Sequence, residues 1–379
     1  MVSHGKAFVS HLLKIIFRAD ASLQIGTGHV MRCLTLAERF KDDGAQVFFV
    51  CRDLPGNMVG FIKNKGFLVV TLQAPNRSSG FICAEDNVVH AEWLGVSWQQ
   101  DAEETRLVLE SQSETIDWLI VDHYSLDHRW EKNMRSLVQH IMVIDDLADR
   151  LHDCDLLLDQ NLVADMELRY SSLIPERCRC LLGPHYSLLR PEFLALRDTA
   201  LLRRNKIDKV EHLLVTMGGI DPDNVTSVVL DGIEKASFGG SVDVVMGQNS
   251  PHLKEVLRKA ESSSTTVEVH VATREMARLM ASANLAIGAG GSTSWERCAL
   301  GLPSLVITTA RNQEPIAAGL ANSGAAQWLG KYEQVDSSSI ATVLNQVSSD
   351  INWLKDMGEV ASCVCDGKGL VRVAGEFVK

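Results

Sequence analysis

Twelve short apolar runs alternate with stretches of helical periodicity along this chain, and that alternation constrains its fold more than any other feature. The runs are 12–19, 45–51, 67–72, 118–122, 141–145, 155–159 and 179–183, then 210–217, 242–246, 267–271, 283–287 and 305–307. Continuous apolar strands separated by helices are what a parallel sheet covered on both faces requires, so the pattern predicts a doubly wound α/β class. Between the two series, residues 197–209 carry Arg203-Arg204-Asn205-Lys206 and no sustained apolar face. That break predicts a linker. The expected organisation is an extension over 1–13, a first domain over 14–198, a linker over 199–209, a second domain over 210–347, and a helical segment over 348–379 returning to the first domain. Two such sheets are expected to face a cleft, with ligand chemistry at the carboxyl ends of their strands.

Composition narrows the function classes. A net charge of -11 over 379 residues, with no clustered basic stripe, argues against nucleic acid as a partner. No apolar run reaches spanning length, and Met1 to His11 lacks a signal-peptide core, so the expectation is a cytoplasmic protein without stable membrane association. The nine cysteines are odd in number and lie mostly in apolar runs, as buried thiols of a reducing compartment do. Cys178 and Cys180, like Cys363 and Cys365, are spaced as alternate residues of an extended segment, without flanking ligands, so no metal is expected there. The oligomeric state is not legible.

The motifs that carry chemistry sit at strand ends. Ile25-Gly26-Thr27-Gly28-His29 follows the first apolar run and opens a helical pattern over 30–40. Gly26 and Gly28 permit φ > 0 and close approach of a ligand, and the helix start favours a neutral imidazole, which makes His29 a candidate base. Arg18 and Asp20 flank this loop, either contacting a sugar or bracing the loop as a pair. Tyr124, in Asp122-His123-Tyr124, could orient water or substrate. Asp145-Asp146 reads as loop anchoring, and Asp159-Gln160-Asn161 as a further sugar contact.

In the second half, Gly288-Ala289-Gly290-Gly291-Ser292-Thr293-Ser294 runs from a strand into a helical pattern over 295–300, an arrangement suited to a diphosphate. It lacks a Walker lysine. Glu296 could accept ribose hydroxyls or complement a helix dipole. Met217-Gly218-Gly219-Ile220-Asp221-Pro222-Asp223-Asn224 supplies a second glycine loop, with Asp223 or Asn224 expected to cap the next helix. Arg311-Asn312-Gln313-Glu314 adds amides and a cation at the same sheet edge.

Taken in order, these motifs, with Leu189-Arg190-Pro191-Glu192-Phe193 and Gly290-Gly291-Ser292-Thr293-Ser294-Trp295-Glu296, resemble the UDP-sugar hydrolases of pseudaminic acid biosynthesis. The resemblance spans about Lys14 to the Gly324 region, and departs from the family at Ser125, where glycine is expected. It implies a GT-B architecture of two Rossmann-like domains, similar to the glycosyltransferases that make lipid II, with the nucleotide held mainly by the second. It places the catalytic histidine on His29 and the active-site tyrosine on Tyr124. The ribose-binding glutamate falls on Glu296 and the active-site asparagine on Asn312, beside Gln313. The implied partner is a small UDP-sugar, with no metal and no cofactor. A glycosyltransferase using a UDP-amino sugar donor, and a nucleotide-sugar sensor without catalysis, are the alternatives.

Overall fold

The structure, a computed structural model, describes residues 12–75 and 88–377; residues 1–11 of the expected extension, and Cys83, lie outside them. The chain divides into two compact units, Met1–Asp159 with Glu167–Leu181 and Val373–Lys379, and Gln160–Met166 with Leu182–Arg372.

Each of the twelve apolar runs carries a strand. In the first unit these are β1 (Lys14–Ala19), β2 (Gln46–Arg52), β3 (Leu68–Leu72), β4 (Ile116–Asp122), β5 (Val138–Ile144), β6 (Leu156–Asp159) and β7 (Arg179–Leu182), in the order β3-β2-β1-β4-β5-β6-β7. The pairings from β3 through to β6 are parallel. Ile15, Ile16 and Phe17 of β1 are wholly buried, and Phe17 stacks on Phe49 of β2 with ring centroids 4.9 Å apart. Strand order reverses between β1 and β4, which opens a crevice for ligands at their carboxyl ends. The helix Gly28–Asp42 begins at that edge and turns Val30, Cys33, Leu34, Ala37 and Phe40 inward at three- and four-residue spacing.

The second unit contains β8 (His212–Thr216), β9 (Ser241–Met246), β10 (Thr266–Val271), β11 (Leu285–Ala289), β12 (Ser304–Thr308) and β13 (Gln327–Lys331), all parallel, in the order β10-β9-β8-β11-β12-β13. Its order reverses between β8 and β11. One face of the sheet packs Leu213, Val215, Val244 and Ile287, and the other packs Leu214, Ala286 and Val306 with Trp295 and Phe193.

Three features depart from the sequence reading. β13, of sequence QWLGK, is a half-buried edge strand with a register shift opposite Val306/Ile307, so it never reads as an apolar run. The expected linker is largely helix: Pro191–Arg204 is one continuous element. Of its two terminal arginines Arg203 is exposed, whereas buried Arg204 donates to the carbonyls of Met280 (2.7 Å), Ala283 (2.6 Å) and Leu300 (2.7 Å). Lastly, the helix Ile351–Val364 places Leu354 and Ala361 in the cores of the second unit. Only the final residues belong to the first, where Phe377 meets Phe40 and Trp118 at 4.6 and 4.4 Å. Among the described residues no helix is long and apolar enough to cross a membrane.

Candidate active site

At the β1/β4 switch point of the first unit, His29 is the second residue of its helix and is only 6% exposed. Its Nδ1 lies 2.5 Å from Oδ1 of Asp122, the last residue of β4. Arg32, one turn along the helix, grips the same carboxylate from Nε to Oδ2 and from Nη2 to Oδ1, both at 2.6 Å. Burial by itself would raise the Asp122 carboxyl, but Arg32 and then His29 outweigh it and hold Asp122 ionised, well below the usual carboxylate range. An ionised acceptor fixes the imidazole: Nδ1–H donates to Asp122, and Nε2 is left with its lone pair. Arg32 Nη2 also lies 3.2 Å from Nδ1, but it donates to Asp122 Oδ1 at 2.6 Å, so both donors converge on the carboxylate.

Tyr124 meets His29 edge-on, with centroids 4.5 Å apart at 82°. Its hydroxyl donates to Asp146 Oδ1 at 2.5 Å, and Arg32 Nη1 reaches Asp146 Oδ2 at 3.2 Å. Burial, then Asp146, pushes the Tyr124 phenol well above its ordinary range. The phenol therefore stays protonated with its hydrogen committed, and toward a ligand it offers only oxygen lone pairs and the ring. His90 and Trp93 extend this aromatic surface, with centroids 5.5 and 5.9 Å from Tyr124.

The structure corrects several readings. Gly26 has φ +78°, as a tight loop requires, but Gly28 is helical without a positive φ; its lack of a side chain leaves open space at the first turn. Arg18 and Asp20 are 0% and 1% exposed, so they brace rather than face a ligand. Arg18 Nη2 donates to Asp20 (2.9 Å) and Asp101 (2.6 Å), Arg52 also pairs with Asp101 (2.7 Å), and Asp20 accepts the Arg52 N–H (2.7 Å). Asp145 is taken up by Arg150 at 2.8 Å and by the Ala148 N–H at 2.9 Å. Asp159, Gln160 and Asn161 are buried: Asp159 binds Tyr170 at 3.1 Å, and Gln160 accepts the Leu188 N–H at 2.9 Å.

The second unit gathers its candidates at the β8/β11 switch point. Gly218 has φ +94°, and neither it nor Gly219 has an atom within 4 Å of a would-be Cβ. Gly219 O accepts the Gly247 N–H at 3.0 Å, which seats the loop. Asp221, not Asp223 or Asn224, caps the following helix: its two oxygens accept from Val225 N and Thr226 N, both at 3.0 Å. Asn224 instead adopts a left-handed conformation with no side-chain cap bond. Gln313 Oε1 ties two strand ends together, accepting from Gly290 N at 3.3 Å and Thr309 N at 3.0 Å. The Gly290 N–H is therefore engaged, whereas Gly291 and Ser292 donate no backbone hydrogen bond among the described residues. Asn312 is exposed on the Arg311–Gln313 turn.

Glu296 is half-buried, and its Oε1 lies 3.9 Å from Arg190 Nη2. Burial pushes its carboxyl up to about 7 against the lowering effect of Arg190. Away from both switch points, Asp243, Glu268 and His270 bring ligand-type atoms within 4.8 Å of one another on β9 and β10, a grouping the sequence reading did not identify.

Comparisons with known proteins bear on the kinship and fold of the chain. Residues 212–362 match the glycosyltransferase family 28 C-terminal domain. The chain is 27% identical over 312 residues to the UDP-2,4-diacetamido-2,4,6-trideoxy-beta-L-altropyranose hydrolase of Campylobacter jejuni subsp. jejuni, covering 82% of this chain and 97% of that protein. It is 25% identical over 360 residues to the spore coat polysaccharide biosynthesis protein SpsG of Bacillus subtilis, covering 94% of this chain and 95% of that one. Among solved structures, MurG of Acinetobacter baumannii is similar with a TM-score of 0.68 at 15% identity, over 97% of this chain and 99% of that chain. The resemblance read from the motifs is borne out, and so is the GT-B fold class of two parallel-sheet α/β domains.

Proposed function

We propose that this chain is a hydrolase that releases UDP from UDP-2,4-diacetamido-2,4,6-trideoxy-β-L-altropyranose by metal-independent attack of water at the anomeric carbon. The observation that carries this reading is the His29–Asp122 pair at the β1/β4 switch point. His29 Nε2 takes a proton from water as the water oxygen bonds to the anomeric carbon. The bond from that carbon to the diphosphate oxygen breaks, and its electron pair leaves on UDP. Asp122 offsets the imidazolium so formed. Attack opposite the leaving group inverts the anomeric configuration. Likeness to the Campylobacter jejuni hydrolase over 82% of the chain supports the choice of sugar and a place in pseudaminic acid biosynthesis. Incubation with that UDP-sugar and no acceptor, with release of UDP followed over time, is the direct test.

The match of residues 212–362 to a glycosyltransferase domain favours a second reading, in which an acceptor hydroxyl replaces water. UDP release that begins only on addition of an acceptor would select it. Under the hydrolase reading, activity persists in EDTA. Activity lost to EDTA and restored by a divalent metal would refute metal independence, and the Asp243, Glu268 and His270 group would then be the first to examine.

In this reading Glu296 accepts ribose hydroxyls, so Glu296→Ala is expected to weaken UDP binding by about 10- to 100-fold with little change in turnover at saturation. The pH dependence follows from a carboxyl near 7. Ribose hydroxyls donate to the ionised form, so UDP affinity rises as pH rises through 7, and binding near pH 7 releases a proton from Glu296. Calorimetry in buffers of differing ionisation enthalpy measures that release, which Glu296→Gln is expected to abolish.

A further inference from the structure

Arg297 lies on the short helix Thr293–Ala299 and is 1% exposed. The buried arginines of the first unit face carboxylates, as Arg18 and Arg52 face Asp101. Arg297 faces none: no carboxylate among the described residues lies within ion-pair distance of it. Its Nη2 donates to Ala289 O at 2.9 Å and to Ser294 Oγ at 3.0 Å, while Nε and Nη1 are buried without a hydrogen-bond partner. A charge in that state is costly, and the usual remedy is a counter-charge within reach.

Its position says where that counter-charge belongs. A Cβ at Gly288 would stand 2.5 Å from Arg297 Nη1 and 3.1 Å from Thr216 O, so glycine at 288 is what admits the guanidinium. Gly288 belongs to β11 and Thr216 ends β8. The cation is thus lodged against the paired ends of the two central strands, Gly288 and Thr216, each two residues before a glycine pair, Gly290-Gly291 and Gly218-Gly219. Burial lowers its pKa only to about 10, so it remains charged near neutrality.

The geometry points to Arg297 as the buried cation that balances the diphosphate of a bound nucleoside diphosphate. It is a positioning residue, acting through Ala289 and Ser294 and through its field. The inference rests on the second unit holding UDP, as proposed above. In a low-dielectric site, a fixed charge aimed at a developing phosphate anion also favours departure of that group.

The test compares UDP with uridine, which shares the base and ribose but carries no phosphate. With the full chain, Arg297→Met, close in volume and neutral, is expected to weaken UDP by about 10-fold or more while leaving uridine unchanged. Arg297→Lys, which keeps the charge, is expected to restore most of the difference. Equal weakening of both ligands, or of neither, overturns the inference, since a merely structural role does not distinguish them. Should Arg297→Met fail to fold, Ser294→Ala, which removes one of the two bonds that orient the guanidinium, is expected to lower the UDP-to-uridine preference by a few-fold. An unchanged preference there overturns the inference as well. A wild-type chain that binds neither ligand defeats the nucleotide assignment itself, an outcome separate from failure of the arginine variants.

Discussion

Replacing His29 with asparagine is expected to reduce turnover by about 10²- to 10⁴-fold, the usual contribution of a general base, while UDP affinity and folding stay close to wild type. Asparagine is a discriminating choice. Its amide N–H can donate to Asp122 much as Nδ1–H does, so the buried carboxylate keeps its partners, and only the lone pair on Nε2 is lost. Steady-state rates and UDP titration on the same preparation decide the matter. Activity within a few-fold of wild type removes His29 from the mechanism.

Asp122→Asn is expected to impair the first unit in two ways. An amide cannot hold Nδ1–H as an ionised carboxylate does, and it can donate to that nitrogen instead. The ring then carries its proton on Nε2, where it cannot accept one from water, so turnover falls by roughly the factor lost with His29. The substitution also strips Arg32 of its bidentate partner, and breaking a buried pair from one side costs about 3–5 kcal/mol. Arg32 keeps its contact with Asp146, so the lower end is expected. The sign of the pH effect follows from a depressed carboxyl. Its stabilisation is present above the ordinary carboxylate pKa of about 4 and is lost as pH falls through the folded value, so the stability gap between wild type and variant narrows in acid. Denaturant unfolding at neutral and acidic pH checks this; a gap that widens in acid contradicts it.

The strand-end placement of His29 and Tyr124 was legible because each follows a strand whose apolar run ends in a glycine loop or a polar triplet, and strand ends are where such sheets place chemistry. Their partners were not. Asp122 and His29 are separated by 93 residues, and Asp146 and Tyr124 by 22. Such pairings depend on which strands lie side by side, which periodicity does not reveal. Arg204 and Arg297 were misread or missed for a related reason. A charged residue on a helical pattern reads as solvated, yet Arg204 saturates three carbonyls and Arg297 lies behind a glycine. For Arg18 and Asp20 the sequence left ligand contact and bracing of the loop both open, and only their burial decides for bracing.

His29, Asp122, Arg32, Asp146 and Tyr124 form one connected chain of contacts, and its charges can be counted. With a neutral imidazole and phenol, two carboxylates and one guanidinium leave it with a single excess negative charge. Uptake of a proton by His29 brings the sum to zero. Under the proposed chemistry, the group of residues is anionic at rest and electrically balanced at the moment the water is deprotonated. It therefore repels a second anion from the histidine before reaction and ceases to do so only while the bond is changing hands.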